Sequence, residues 1–191
     1  VGYFQAAWKS TNLYLGFVLM GLAVEYYPRI SKESTEPRRL NMSVDNQIRV
    51  ALLLGAPALL WMMVLSSLML HLLYAPEFQS ATGVLRWQLL GDIFKIVGWA
   101  VAFLLLARKA RGAYFISELS WNICYLLLAL PLASQYGLTA LGMAYLISYG
   151  LYAAVSLWLA HRETRFMLHR DTFALLAALL LVGGTTLWSV E

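Results

Sequence analysis

Six apolar stretches, each about long enough to cross a bilayer as a helix, are separated by connections that alternate between strongly basic and free of Lys and Arg. The stretches are Gly2–Val24, Val50–Leu73, Val84–Ala107, Tyr114–Ala133, Leu138–Ala160 and Thr172–Trp188. Connections 25–49, 108–112 and 161–171 hold Arg29, Lys32, Arg38, Arg39 and Arg49, then Arg108, Lys109 and Arg111, then Arg162, Arg165 and Arg170, which is 11 of the 14 basic residues. The intervening connections, 71–83 and 134–137, hold no Lys or Arg, and Glu77 is their one formal charge. Short loops rich in Lys and Arg stay in the cytoplasm, so this asymmetry orients the chain. Connection 25–49 is expected to be a cytoplasmic basic loop, with 108–112 and 161–171 on the same side. A missed or surplus span would scramble the alternation, so the charge pattern also checks the span count.

Composition agrees. Hydrophobic residues make up 61% of the 191 and charged residues 13%, against about 45–50% and 25% in soluble domains. Mean hydropathy is +0.66. A small soluble fold leaves much of its surface in water and could not hide this excess. In lipid the backbone must satisfy its own hydrogen bonds, so the spans are read as helices; a membrane barrel would show short alternating strands, and these runs do not alternate. The fold class is therefore all-α, a polytopic transmembrane bundle of about six spans filling residues 1–191. In the first connection, residues 38–44 can open an amphipathic helix that leads into the second span. A signal peptide, with Lys9 before the Leu13–Leu22 run, is a poorer reading, because Tyr3, Phe4 and Trp8 already precede the lysine. The chain opens without Met and ends just past an apolar run, and is expected to be a fragment cut at both ends.

The net charge of +4 does not indicate nucleic acid, because the basic residues form no continuous face. Cys124 is the single cysteine, so the chain has no internal disulfide and no thiolate metal cluster. His71, His161 and His169 lie at span ends without metal-ligand spacing. No phosphate loop and no nucleophile elbow is present. Neither a catalytic residue, a cofactor nor a metal is expected.

The informative residues are polar groups inside the spans. Gln5, Lys9, Asn12 and Gly16 share one face of the first span, and Gln88, Asp92, Lys95 and Trp99 share one face of the third. Glu118, Asn122 and Tyr125 repeat the pattern on the fourth, and Tyr145, Tyr149 and Tyr152 on the fifth. Ionisable groups within spans face a protein interior or a wet cavity and mark function by default. Plainer readings stand beside this one. Asp92 and Lys95, three apart, can neutralise each other; Asn12 and Asn122 can be interhelical glue; Arg86 and Lys9 can snorkel to the interface. Glu118 has no basic residue one turn away in its own span.

Tyr3-Phe4-Gln5-Ala6-Ala7-Trp8, Asn12 to Phe17, and Glu25-Tyr26-Tyr27-Pro28-Arg29-Ile30 resemble the second-half entry helix of bacterial polysaccharide flippases of the O-antigen translocase type. These belong to the superfamily that also holds multidrug exporters. The likeness continues through 85–92, 115–122 and 136–144. The resemblance implies one half, the C-terminal bundle, of a two-bundle MATE-like transporter of the inner membrane whose N-terminal half is missing. It implies translocation of undecaprenyl-pyrophosphate-linked oligosaccharide by alternating access, with lipids and other glycan-assembly proteins as neighbours. The cargo makes sense of the polar stripes: Lys9, Arg86 and Lys95 as a cationic cavity for pyrophosphate, Asn12, Gln88, Asn122 and the tyrosines on sugar, and Asp92 or Glu118 taking up a coupling ion or proton. The alternatives are a small-molecule exporter of the same superfamily, a membrane-embedded glycan polymerase or ligase, and a membrane scaffold. An enzyme of that kind carries a large charged outer loop, and the two complete outer connections here are short.

Overall fold

The computed structural model describes residues 2–73 and 81–190, with the side chains of residues 2–8, 10, 73 and 190 outside the description. The side chain of Gln5, and Pro76 and Glu77 altogether, therefore fall outside it. The described residues form seven helices and no strand: α1 (Gly2–Lys32), α2 (Pro37–Val64), α3 (Ser66–Leu73), α4 (Thr82–Ala107), α5 (Arg111–Tyr136), α6 (Thr139–Thr164) and α7 (Arg170–Val190). Five of them, α2, α4, α5, α6 and α7, are long and apolar enough to cross a membrane. At 1.5 Å per residue the 26 residues of α4 reach about 39 Å, beyond a hydrocarbon core of about 30 Å. The chain is a multi-pass membrane helix bundle.

α4 is the central helix. It is buried over most of its length and packs on α1, α2, α6 and α7. Its small residues explain the close approach to α6. A Cβ on Gly91 would lie 2.8 Å from the Tyr145 ring, and one on Gly98 would lie 2.3 Å from the Tyr152 ring. Glycines seven apart on α4 thus receive tyrosines seven apart on α6. Small residues serve transmembrane packing in this way because lipid tails give apolar helices no other reason to associate closely. α5 packs mainly on α6 and leaves Phe115, Ile116, Leu126, Leu127 and Leu130 exposed, as expected of a face turned to lipid or to further protein.

Most of the stretch 25–49, read from the sequence as a loop, is helix. α1 runs on through Pro28 to Lys32, α2 begins at Pro37, and only residues 33–36 turn the chain. Proline and charge argue locally for a break, but packing overrides them. Tyr26 and Ile30 are fully buried, and the Tyr26 hydroxyl donates to the Ala100 carbonyl at 2.7 Å while its ring meets Trp99 and Phe103. The helix expected to open within 38–44 is present, and α2 begins one residue earlier, at Pro37. The second span is interrupted at Leu65, which separates α2 from α3.

The three basic stretches meet at one end of the bundle. Arg108 donates to the Ser34 carbonyl at 2.6 Å, joining the α4–α5 turn to the α1–α2 turn. Asn41 on α2 donates to the Thr164 carbonyl at 2.9 Å and accepts from the Thr164 hydroxyl at 2.8 Å, fixing the end of α6 beside α2. Asp45 accepts from the His169 backbone N–H and the Thr172 hydroxyl, both at 2.9 Å. A carboxylate at the start of α7 satisfies otherwise orphaned donors and favours the positive end of the helix dipole.

Candidate functional site

The polar residues of α1, α4, α5 and α6 converge on one buried cluster. Asp92, on the central helix, has no exposed surface. The Tyr145 hydroxyl of α6 donates to its Oδ1 at 2.7 Å, and Thr11 of α1, also fully buried, approaches the same carboxylate. Lys95, three residues on, holds its ammonium 3.9 Å from Asp92 Oδ1 and donates to Asn12 Oδ1 of α1 at 2.6 Å. The same ammonium lies 5.5 Å from the centroid of the Tyr149 ring. A cation is thereby held by a carboxylate, an amide and an aromatic face from three helices, as an ion in low dielectric requires. Its side chain keeps 19% of its surface accessible, while that of Asp92 keeps none.

A row of aromatics extends the cluster along α6. Tyr145 and Tyr149 have ring centroids 4.5 Å apart, and Tyr149 stands edge-on to Tyr152 at 5.9 Å. Trp121 of α5 stacks on Tyr149 at 5.2 Å with 18° between the planes. The Tyr152 hydroxyl donates to Glu118 Oε1 at 2.8 Å. The two acids within spans are therefore each held by a tyrosine of α6, with Tyr149 between them.

Not every residue singled out in the sequence joins this cluster. Arg86 is directed to the helix interruption, where its Nε donates to Ser66 Oγ at 2.8 Å. Lys9 is exposed, and so is Asn122, whose amide donates back to the Glu118 carbonyl at 2.8 Å. Gln88 is fully buried, and neither of its amide atoms has a partner among the described residues. Thr11 and Trp121 belong to the cluster and were not singled out, although Thr11 adjoins Asn12 and Trp121 precedes Asn122. Among the described residues no three His, Cys, Asp or Glu side chains are grouped to hold a metal ion.

The chain is similar to the Lipid III flippase of Escherichia coli (strain K12) and to the Lipid III flippase of Shigella flexneri. It is 25% identical to each over 152 residues, covering 80% of this chain and 36% of either relative. The chain thus spans little more than a third of the length of these relatives. No family model matches it, and no solved structure matches it.

Proposed function

We propose that this chain is the C-terminal bundle of a flippase that moves undecaprenyl-pyrophosphate-linked oligosaccharide, an O-antigen or exopolysaccharide repeat unit, across the bacterial inner membrane by alternating access. It is a transporter, not an enzyme. The observation that carries this reading is Lys95, a cation held in an apolar bundle by Asn12, Asp92 and Tyr149 whose side chain is not fully closed off. A structural ion pair needs no route to the outside, whereas a group that meets an anionic cargo does. The likeness to Lipid III flippases adds support for a lipid-linked precursor as cargo.

In this reading Lys95 and Asn12 meet the pyrophosphate, and Trp121 with the tyrosines of α6 offers aromatic surface to sugar rings. Lys9 and Arg86 add positive charge nearer the outer side. Asp92 or Glu118 takes up the coupling ion or proton, an exchange that Tyr145 and Tyr152 accommodate by hydrogen bonding either state. Gln88 and Asn122 reach cargo only in a conformation that repacks α4 and α5. The three basic stretches lie on the cytoplasmic side, the rest of the chain supplies the opposing bundle, and glycan-assembly proteins stand nearby.

The test uses the full-length chain in a bacterium lacking its own flippase for such a precursor. Restored surface polymer is expected with the wild-type chain. With Lys9→Ala or Lys95→Ala, export is lost while the protein still inserts. Wild-type export by either variant removes that residue from the site, and no export by the wild-type chain across several precursor types overturns the reading.

A further inference from the structure

A second feature lies further along α1, between α1 and α2. A cavity of about 230 Å³ is lined by Gly21, Leu22, Glu25, Arg29, Asn46, Gln47 and Val50. A second, of about 320 Å³, is lined by Tyr14, Phe17, Val18, Gly21, Leu22 and Leu54. Gly21 and Leu22 line both, so the two join into one groove, polar at the end of the α1–α2 turn and apolar beyond it. A Cβ on Gly21 would meet nothing within 4 Å, so this glycine leaves the groove open where the two parts join.

The polar end carries donors and one acid. Arg29 donates to Gln47 Oε1 at 3.1 Å, which fixes the amide with its Nε2 buried and without a partner among the described residues. Gln47 is 5% exposed, so this donor is cut off from bulk water. Asn46 adds an exposed amide, and Glu25, one turn before Arg29, adds an exposed carboxylate. Guanidinium and amide donors suit a phosphodiester; a carboxylate one turn away suits an ammonium beside it.

Length agrees with that chemistry. From Tyr14 to Arg29 α1 rises about 22 Å at 1.5 Å per residue. Half of a bilayer of about 40–45 Å, headgroups included, is about the same. Further helix from the same protein would want an apolar wall along the whole groove, not a charged pocket at one end.

We propose that the α1–α2 groove is a binding site for one glycerophospholipid with an amine-bearing headgroup: the phosphodiester on Arg29 and the exposed Asn46 amide, the ammonium on Glu25, and an acyl chain along Phe17, Val18 and Leu54. The site is independent of the buried cluster and of the transport reading.

The experiment is native mass spectrometry of the full-length chain, delipidated and then offered phosphatidylethanolamine or phosphatidylglycerol with identical acyl chains. The wild type retains the amine lipid about tenfold better, the ratio expected of one charge-assisted contact. Gly21→Leu, whose Cβ meets nothing within 4 Å, puts a branched side chain into the groove and loses retention of both lipids. Glu25→Gln brings the two lipids to equal retention, and Arg29→Gln weakens both. Equal retention of the two lipids by the wild type overturns the proposal. So does undiminished retention by Gly21→Leu, or retention of neither lipid by the wild type, the outcome if another part of the chain fills the groove.

Discussion

The ring of Tyr152 lies directly on the backbone of Gly98, so near that a methyl group there would stand 2.3 Å from a ring carbon. Tyr145 sits on Gly91 in the same way, where a Cβ would stand 2.8 Å from the ring. These two seats bring the hydroxyls of α6 to Glu118 and Asp92. The helix pairing and the placement of the candidate site are therefore one arrangement.

Gly98→Ala tests it. Alanine improves helix propensity by about 1 kcal/mol at an interior position. Overpacking a tight contact costs about 1–3 kcal/mol, and a methyl at 2.3 Å belongs at the upper end of that range. Net destabilisation is expected in a thermal or denaturant melt of the purified protein. Pairing it with Tyr152→Leu should restore part of the loss. A Gly98→Ala variant as stable as wild type would show that α4 and α6 do not approach this closely.

Lys95 and Asp92 make a different prediction, because removing one partner strands the other. Lys95→Met leaves the fully buried Asp92 carboxylate with Tyr145 and Thr11 but no cation. Breaking a buried pair costs about 3–5 kcal/mol, and the remaining hydrogen bonds place this one near the lower figure. The double variant Asp92→Asn with Lys95→Met removes both charges and should recover most of that stability. Transport should stay lost in both. A double variant as unstable as Lys95→Met alone would mean that the two side chains are not coupled.

How much of this was legible in the sequence depends on the range of the interaction. The apolar helices α2, α4, α5, α6 and α7 were legible because hydropathy is a local property, and the stripes on α1, α4, α5 and α6 because helical spacing is. That Asp92 meets Tyr145 was not, since it depends on the register between α4 and α6, which Gly91 and Gly98 set through packing. Arg86 shared the basic character of Lys95 but not its surroundings. The interruption at Leu65, which places Ser66 beside Arg86, has no proline or glycine to announce it. Pro28 gave the opposite error. A breaker locally, it is carried inside α1 because Tyr26 and Ile30 bury themselves on either side.

Asp45 shows the same limit. In the sequence it is one acid in a basic stretch, and in the fold it closes the start of α7 by accepting from His169 and Thr172. Asp45→Ala removes both acceptors and leaves the buried Thr172 hydroxyl accepting from Arg49 but without an acceptor for its own proton. Losing a cap of this kind costs about 0.5–2 kcal/mol, and an unsatisfied buried hydroxyl adds to it. A loosened α6–α7 turn is expected, read as faster proteolysis between Arg165 and Arg170 and a lower melting temperature. Unchanged cleavage would mean that α7 docks without this contact.

The placement of all three basic stretches at one end leads to a labelling prediction. Arg108 bonded to Ser34, and Asn41 to Thr164, put the 33–36, 108–110 and 165–169 turns on one side of the bundle, whatever that side is. The positive-inside rule predicts that this side is the cytoplasm. With Cys124 replaced by Ser, cysteines introduced singly at Glu36, Lys109 and Met167 should be shielded from an impermeant maleimide in intact cells and react after permeabilisation. Gln135→Cys, exposed at the end of α5, should react in intact cells. Reversal at every position would invert the orientation and leave the bundle intact. A mixed pattern among Glu36, Lys109 and Met167 would break the bundle itself, because hydrogen bonds of 2.6–2.9 Å cannot join turns on opposite sides of a membrane.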